Sequence, residues 1–162
     1  MSRRIAVASD THDALDRVLR LRAELEARGV GTLIHCGDIT GPAVVRALDG
    51  LEVHWVFGNC DHDRPALEAA MRAAGHRCHG PAGELEFEGR RIAFTHGDRA
   101  PLLAALLASG HDIVLHGHTH LRRDERIGAS RVLCPGALYH VHPATFAILT
   151  VPALDVEWVE LG

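Results

Sequence analysis

Lysine is missing altogether: all 17 cationic side chains are arginine. Alanine, glycine and leucine are abundant beside them, which is the skew of a GC-rich coding sequence and carries no functional information. Paired cysteines are missing too. Cys36, Cys60, Cys78 and Cys134 include no CxxC spacing, so neither a zinc knuckle nor a dithiol redox motif is expected. No stretch approaches the roughly 18 consecutive apolar residues of a transmembrane helix. The first residues, Met1 to Arg4, lead straight into a short apolar strand without the apolar region of a signal peptide, so a cytoplasmic location and no membrane partner are expected. Strong basicity is also lacking. The net charge is -4 and the pI about 6.3, so nucleic acid is not expected as a stable partner.

What remains is a balanced globular composition. Hydrophobic residues make up 47% of the chain, and mean hydropathy is close to zero. A length of 162 residues suits one domain, 1–162, with a core that needs no disulfide or structural metal. The count that stands out is 13 histidines. Histidine is the commonest metal ligand, so the placement of these residues matters more than their number.

The first half alternates strand and helix. Ile5 to Ser9, Thr32 to Cys36 and Val53 to Phe57 read as buried strands. Asp13 to Arg28 reads as a helix with Leu15, Val18, Leu19 and Leu25 on one face, interrupted by Arg22, whose guanidinium must snorkel. Gly41-Pro42 opens a short helix to about Leu48. This order implies βαβ units and a mainly parallel sheet. The second half is richer in strands: Glu84 to Phe87 and Arg90 to Thr95 around Glu88-Gly89, then Asp112 to His116, Arg131 to Cys134, Thr145 to Val151 and Val156 to Leu161. A helix between Asp98 and Gly110 presents Leu102, Leu103, Leu106 and Leu107. Two packed sheets with helices outside are expected.

Metal-capable side chains follow the strand ends. Asp10 and His12 follow the first strand, Asp38 the second and Asn59 the third; His96 follows Thr95, and His118 and His120 follow His116. Ligands of open α/β sheets gather at such carboxyl ends, so five strand ends can deliver seven ligands to one rim. Glycine stands beside them in Gly37-Asp38, Gly58-Asn59, His96-Gly97 and Gly117-His118, allowing close backbone approach. Carboxylate, amide and imidazole together suit Mn, Fe, Co, Ni or Zn. Calcium and magnesium prefer more oxygen. Asp38 is the natural carboxylate for two cations to share. His35 and His116, at strand ends just before the ligand loops, are expected either to support the ligands from behind or to be packed, and His54, His76, His79 and His111 to lie on the surface. His140 and His142 fall outside the strand-end pattern and are not expected to be ligands.

Ser9-Asp10-Thr11-His12, Gly37-Asp38, Gly58-Asn59-Cys60-Asp61, Thr95-His96-Gly97 and Gly117-His118-Thr119-His120 resemble the calcineurin-like metallophosphoesterases. The resemblance runs from about Ile5 to Leu149 and is closest to the short bacterial and archaeal phosphodiesterases. It implies an α/β/β/α sandwich of two mixed β-sheets flanked by helices, with a dinuclear centre. One metal would take Asp10, His12, Asp38 and His120, the other Asp38, Asn59, His96 and His118. Manganese is the first expectation for both ions. The chain departs from the family pattern at Asp13, where many members have Gly, and at Cys60, where larger members have a proton-donating His. It departs again at Cys134-Pro135-Gly136-Ala137 and through Tyr139 to Pro143.

The expected activity is hydrolysis of a small phosphodiester or nucleotide-like ester by hydroxide activated between two metals. Asp38 and Asn59 are the candidate catalytic ligands. Asp61 either orients a histidine ligand or is an ordinary turn residue. Cys60 either assists the leaving group weakly or packs beneath the metal loop. The rival readings are a phosphomonoesterase, with Arg64 or Arg99 swinging in, and a protein-binding scaffold resembling the retromer subunit of this fold.

Overall fold

The computed structural model describes all residues, Met1–Gly162. Strands β1 (Arg3–Ala8), β2 (Thr32–His35) and β3 (Glu52–Trp55) run parallel, separated by helices α1 (Leu15–Ala27) and α2 (Pro42–Ala47). Helix α3 (Arg64–Ala73) and strand β4 (Arg77–Cys78) extend that sheet beyond β3. The chain then builds a second sheet from β5 (Ala82–Phe87), β6 (Arg90–Thr95), β7 (Ile113–Leu115), β8 (Arg122–Ile127) and β9 (Ser130–Pro135), with helix α4 (Ala100–Ala108) between β6 and β7. Strands β10 (Ala144–Val151) and β11 (Asp155–Leu161) return antiparallel to the first sheet beside β1. The strand orders are β11-β10-β1-β2-β3-β4 and β5-β6-β7-β9-β8.

Both faces of the central strands are covered, which explains their unbroken apolar runs. In β1, Ile5 and Val7 point between the sheets with Ile34, Phe94, Leu115 and Leu133, while Ala6 and Ala8 point toward the helices with Val18, Leu21, Leu25 and Leu33. A smaller cluster seats Leu106 of α4 on Ala93 and Val114 of the second sheet. The layers are therefore helix, sheet, sheet, helix, as expected.

Several expectations need correction. The buried stripe of α1 is Val18, Leu21 and Leu25, whereas Leu15 and Leu19 are 39% and 52% exposed. The spacing i, i+3, i+7 fixes one line along the helix, and Leu19 lies a hundred degrees off Val18 around the axis. Arg22 does snorkel: its Nη1 donates to the carbonyls of Ala47 (3.0 Å) and Asp49 (2.6 Å) at the end of α2.

Helix α3 stands where the sequence pattern predicts no element. It starts at a capping Asp63, whose Oδ1 accepts from the Ala66 N–H, carries Pro in its first turn, and buries Leu67 and Met71. Strand β8 leaves no pattern in the sequence either, because it is almost wholly polar. It is an edge strand, guarded by Arg123–Glu125 and Arg131–Asp124 pairs.

His54, His76 and His111 are buried rather than on the surface, and His79 is half-buried. Each has a hydrogen-bond partner that makes burial tolerable. His54 Nδ1 lies 3.0 Å from His79 Nε2, His76 Nδ1 accepts from Trp55 Nε1, and His111 Nδ1 donates to the Leu106 carbonyl.

The corrected stripe of α1 is testable. Leu21→Ala should cost about 2–5 kcal/mol of unfolding free energy, and Leu19→Ala no more than about 0.5. Urea unfolding of both variants checks this; equal costs would contradict the observed face.

Candidate metal centre

The loops after β1, β2, β3, β6 and β7 meet where the carboxyl ends of the two sheets face each other. They hold their residues in an unusual backbone state. Asp10, His12, Asp38, His118 and His120 all have positive φ, between 39° and 71°. Such left-handed residues cost of order 1–3 kcal/mol each unless they are over-determined by their surroundings, and they gather at functional sites. Asp13, at φ 57°, occupies a position where Gly would be unstrained; aspartate tolerates this region better than most side chains. Two glycines are required by contact: a Cβ on Gly58 would meet Asp38 Oδ1 at 2.1 Å, and one on Gly117 would meet Ser9 Oγ at 1.9 Å.

Both buried carboxylates are divided in the same way. Asp10 Oδ2 accepts from Ser9 Oγ (2.6 Å) and from the His118 N–H (3.0 Å). Its Oδ1 faces inward, 3.1 Å from His120 Nε2, 3.7 Å from His12 Nε2 and 4.0 Å from His96 Nε2. Asp38 Oδ1 accepts from the Cys60 N–H (2.9 Å), and its Oδ2 lies 3.3 Å from His12 Nε2 and 3.2 Å from His96 Nε2. One oxygen of each is tied to the protein and the other is presented.

The imidazoles are aimed at these presented oxygens. His96 Nδ1 donates to the Cys36 carbonyl (2.7 Å), which leaves Nε2 as the atom facing the carboxylates. The Nε2 atoms of His12 and His96 come within ion-pair distance of Asp38 but miss hydrogen-bond alignment. Both are buried without a hydrogen-bond partner. Two orphaned imidazole nitrogens beside two presented carboxylate oxygens fit divalent transition-metal ions, and the donor types agree.

The electrostatics say the same. Burial opposes the charge on Asp38, yet His96 and the Cys60 N–H hold its carboxyl well below the usual range. Burial also opposes the charge on Asp10, but His12 and Ser9 keep its pKa low. His12 is raised by Asp10 against burial. For His96, burial is outweighed by Asp38 and Asp10, and the pKa rises to about 9. Without a cation, a proton on His96 stands in for one.

The remaining expected ligands sit at the rim. The exposed His118 packs its ring edge-on against His96, with centroids 5.1 Å apart. Asn59 is exposed, with its amide nitrogen 3.6 Å from Cys60 Sγ. The thiol of Cys60 lies close to His12 and Asp38, and burial and Asp38 push its pKa up. His140 and His142 belong to none of the close donor clusters. His35 and His116 are buried, as expected. His35 Nδ1 accepts from the Gly37 N–H and its Nε2 donates to Thr11 Oγ1, and burial lowers its pKa to about 3.

Asp61 fits neither expected role. It touches no histidine ligand and is no solvated turn residue, being 3% exposed. Its Oδ2 accepts from the N–H groups of Asp38 (2.9 Å) and Gly58 (2.8 Å), and its Oδ1 from those of Ile39 and Thr40 (both 2.8 Å). One carboxylate thus ties two ligand loops together. Sequence reasoning also missed Tyr139. Its ring stacks on His12 at 4.8 Å and on His140 at 3.9 Å, while the N–H groups of Leu138 and Tyr139 donate to the Asp10 carbonyl. An aromatic residue in a segment already departing from the family pattern was the only available signal.

The profile of the calcineurin-like phosphoesterase superfamily domain matches residues 4–153. The chain belongs to the calcineurin-like phosphoesterase superfamily. A phosphodiesterase of Methanocaldococcus jannaschii is 28% identical over 137 residues, spanning 82% of each chain. The solved structure of an archaeal phosphodiesterase superposes with a TM-score of 0.90 at 27% identity, covering 98% of this chain and 99% of the other. Vps29 of Chaetomium thermophilum shares the fold at TM-score 0.68 and 13% identity, covering 98% and 96%. As a member of this metal-dependent superfamily, the chain carries its candidate donor cluster where the two sheets meet.

Two outcomes test this geometry. Asp61→Ala leaves four buried or half-buried N–H groups without their charged acceptor. It should cost the metal-free protein about 3 kcal/mol or more in urea unfolding; a cost below about 0.5 would mean the loops are held otherwise.

The second concerns pH. The folded pKa of His96, about 9, lies above its ordinary 6.5. Its stabilising contribution is therefore complete below pH 6.5 and lost as pH rises through 9. The metal-free protein, held in chelator, should lose on the order of 3 kcal/mol across that window. His96→Gln should flatten the profile. A flat wild-type profile would refute the carboxylate–imidazole coupling.

Proposed function

We propose that the chain is a metal-dependent phosphodiesterase with two divalent ions, manganese first among the candidates, acting on a small phosphodiester or nucleotide-like ester in the cytoplasm. The observation that carries this reading is Asp38 Oδ2, placed 3.3 Å and 3.2 Å from two imidazole nitrogens on separate loops. In this reading Asp10, His12, Asp38 and His120 hold one ion, and Asp38, Asn59, His96 and His118 hold the other. When bound, the ions supply an acidified water as nucleophile and screen the phosphoryl charge.

The chain's own residues prepare that chemistry. The Cys60 N–H fixes Asp38 Oδ1, so Oδ2 points to the junction. The Cys36 carbonyl fixes the tautomer of His96. Asn59 and His118, at the rim, would complete the ligand set of the second ion, and the neutral amide of Asn59 would keep the ligand charge low. In the metal-free protein burial and Asp38 push the Cys60 pKa up, and as a thiol it is a weak hydrogen-bond donor to a departing alkoxide. The likeness to an archaeal phosphodiesterase, in sequence and in structure, favours a diester over a monoester substrate. The buried carboxylates, unpaired with any arginine, favour an enzyme over a scaffold.

Elemental analysis after manganese loading should give about two equivalents per chain. Asp38→Ala should lose both, and should lower kcat/KM for bis(p-nitrophenyl) phosphate by more than about 100-fold, beyond the cost of losing an outer partner. Asn59→Ala should lose mainly one equivalent. Stoichiometry near zero at saturating metal would overturn the proposal.

A further inference from the structure

Beside the metal centre lies a crevice that the proposed chemistry does not use. It is lined by Phe57, Gly58, Arg64, Thr95, Asp98 and Arg99, and closed by Pro81 and Leu102. It shares walls with the site. Gly58 precedes the candidate ligand Asn59 and lies against Asp38, and Thr95 precedes His96. The crevice therefore opens where the loop after β3 meets the loop after β6.

Its two arginines are held differently from most others in the chain. Nine of the 17 arginines pair with a carboxylate: Arg3, Arg4, Arg17, Arg22 and Arg28, then Arg90, Arg122, Arg123 and Arg131. Arg64 and Arg99 pair with none. Arg64 is positioned all the same. Its Nε donates to the Asp61 carbonyl (3.2 Å), and its guanidinium carbon lies 5.1 Å from the centroid of the Phe57 ring. That leaves both Nη groups unengaged, on a side chain already anchored to the residue that ties the ligand loops. The Arg99 guanidinium has no hydrogen-bond or ion-pair partner. Asp98 is the only carboxylate in the lining and pairs with neither arginine, so the crevice keeps a net positive charge.

We propose that Arg64 and Arg99 form a subsite for a second phosphoryl group of the substrate, so that the preferred ester is a small nucleotide-like diester carrying a further phosphate. This deepens the phosphodiesterase reading and rests on it for the reacting bond. The chemistry is specific. Guanidinium forks bind phosphate oxygens with paired N–H donors, and in a protein without lysine no other side chain supplies a fixed cation. The placement fits too, because the crevice shares Gly58 and Thr95 with the ligand loops, so an anion attached to the reacting ester can lie at its mouth while its neighbour sits on the metals. The net charge of -4 opposes a long polyanion, so a short substrate is the better fit.

The test compares two chromogenic esters with the manganese-loaded protein: the p-nitrophenyl ester of thymidine 5′-phosphate, with and without a 3′-phosphate. In the wild type the 3′-phosphate should lower KM about tenfold or more, the effect of one or two charge-assisted hydrogen bonds. In Arg64→Ala/Arg99→Ala that advantage should vanish, and in Arg64→Lys it should be partly kept. The distant unpaired Arg126→Ala should keep it in full.

If the double variant lowers kcat equally on both esters, the guanidinia touch the reacting phosphoryl group and the subsite is refuted. If the wild type gains nothing from the 3′-phosphate, it is likewise refuted. Calorimetry gives a readout that needs no turnover. Thymidine 3′,5′-bisphosphate should bind about tenfold more tightly than thymidine 5′-phosphate, and only when both arginines are present. Absence of hydrolysis with that preference intact would fault the phosphodiesterase reading and leave the subsite standing. Binding of inorganic phosphate that needs the arginines, without any bisphosphate preference, would mark a free-phosphate site and overturn the proposal.

Discussion

Two ionised carboxylates, Asp10 and Asp38, are buried at the junction of the sheets with no arginine to neutralise them. Burying such charge is tolerable only with a counter-charge and complete hydrogen bonding. The chain meets the second need itself, tying one oxygen of each carboxylate to N–H or O–H donors. It leaves the first need to imidazoles that can either carry a proton or donate a lone pair. Much of the centre follows from that arrangement: the orphaned Nε2 atoms, the raised pKa of His96, and the fit to divalent ions.

Presenting those oxygens demands a backbone that ordinary turns do not provide. Five of the seven candidate ligands lie in the left-handed region, and strain of that kind persists only where neighbours enforce it. Asp61 enforces it from below by gathering four N–H groups from two loops. Tyr139 does so from the side, stacking on His12 while its N–H and that of Leu138 hold the Asp10 carbonyl. The three buried layers behind the loops make this possible, because a packed sandwich is stiff and does not relax the strain.

The fold was legible wherever burial imprinted a period. Strands covered on both faces gave unbroken apolar runs, and their order gave the sandwich. Where the period was faint the reading failed for identifiable reasons. Strand β8 is an edge, so its side chains are charged on both faces and its pairing with β9 leaves no hydrophobic trace. Helix α3 offers only Leu67 and Met71, one helical turn apart, and its better signals were the Asp63 cap and Pro65. The histidines expected on the surface were misplaced because imidazole is compatible with burial once it is hydrogen-bonded, and two of the partners lie far off in sequence: His54 is served by His79 and His76 by Trp55.

By itself the sequence determined the donor types, their order and their position just past strand ends, because a strand and the turn after it are local events. It also determined the lack of a lysine that might have neutralised the site. Tertiary structure decided which oxygen of each carboxylate faces inward, that Asp61 serves the backbone rather than a histidine, and that Arg64 and Arg99 share a crevice. His120 reaches Asp10 across 110 residues, and Asp61 reaches Asp38 across 23. The first contact depends on how the two sheets face each other and the second on which strands lie side by side in one sheet, and no local pattern of residues encodes either.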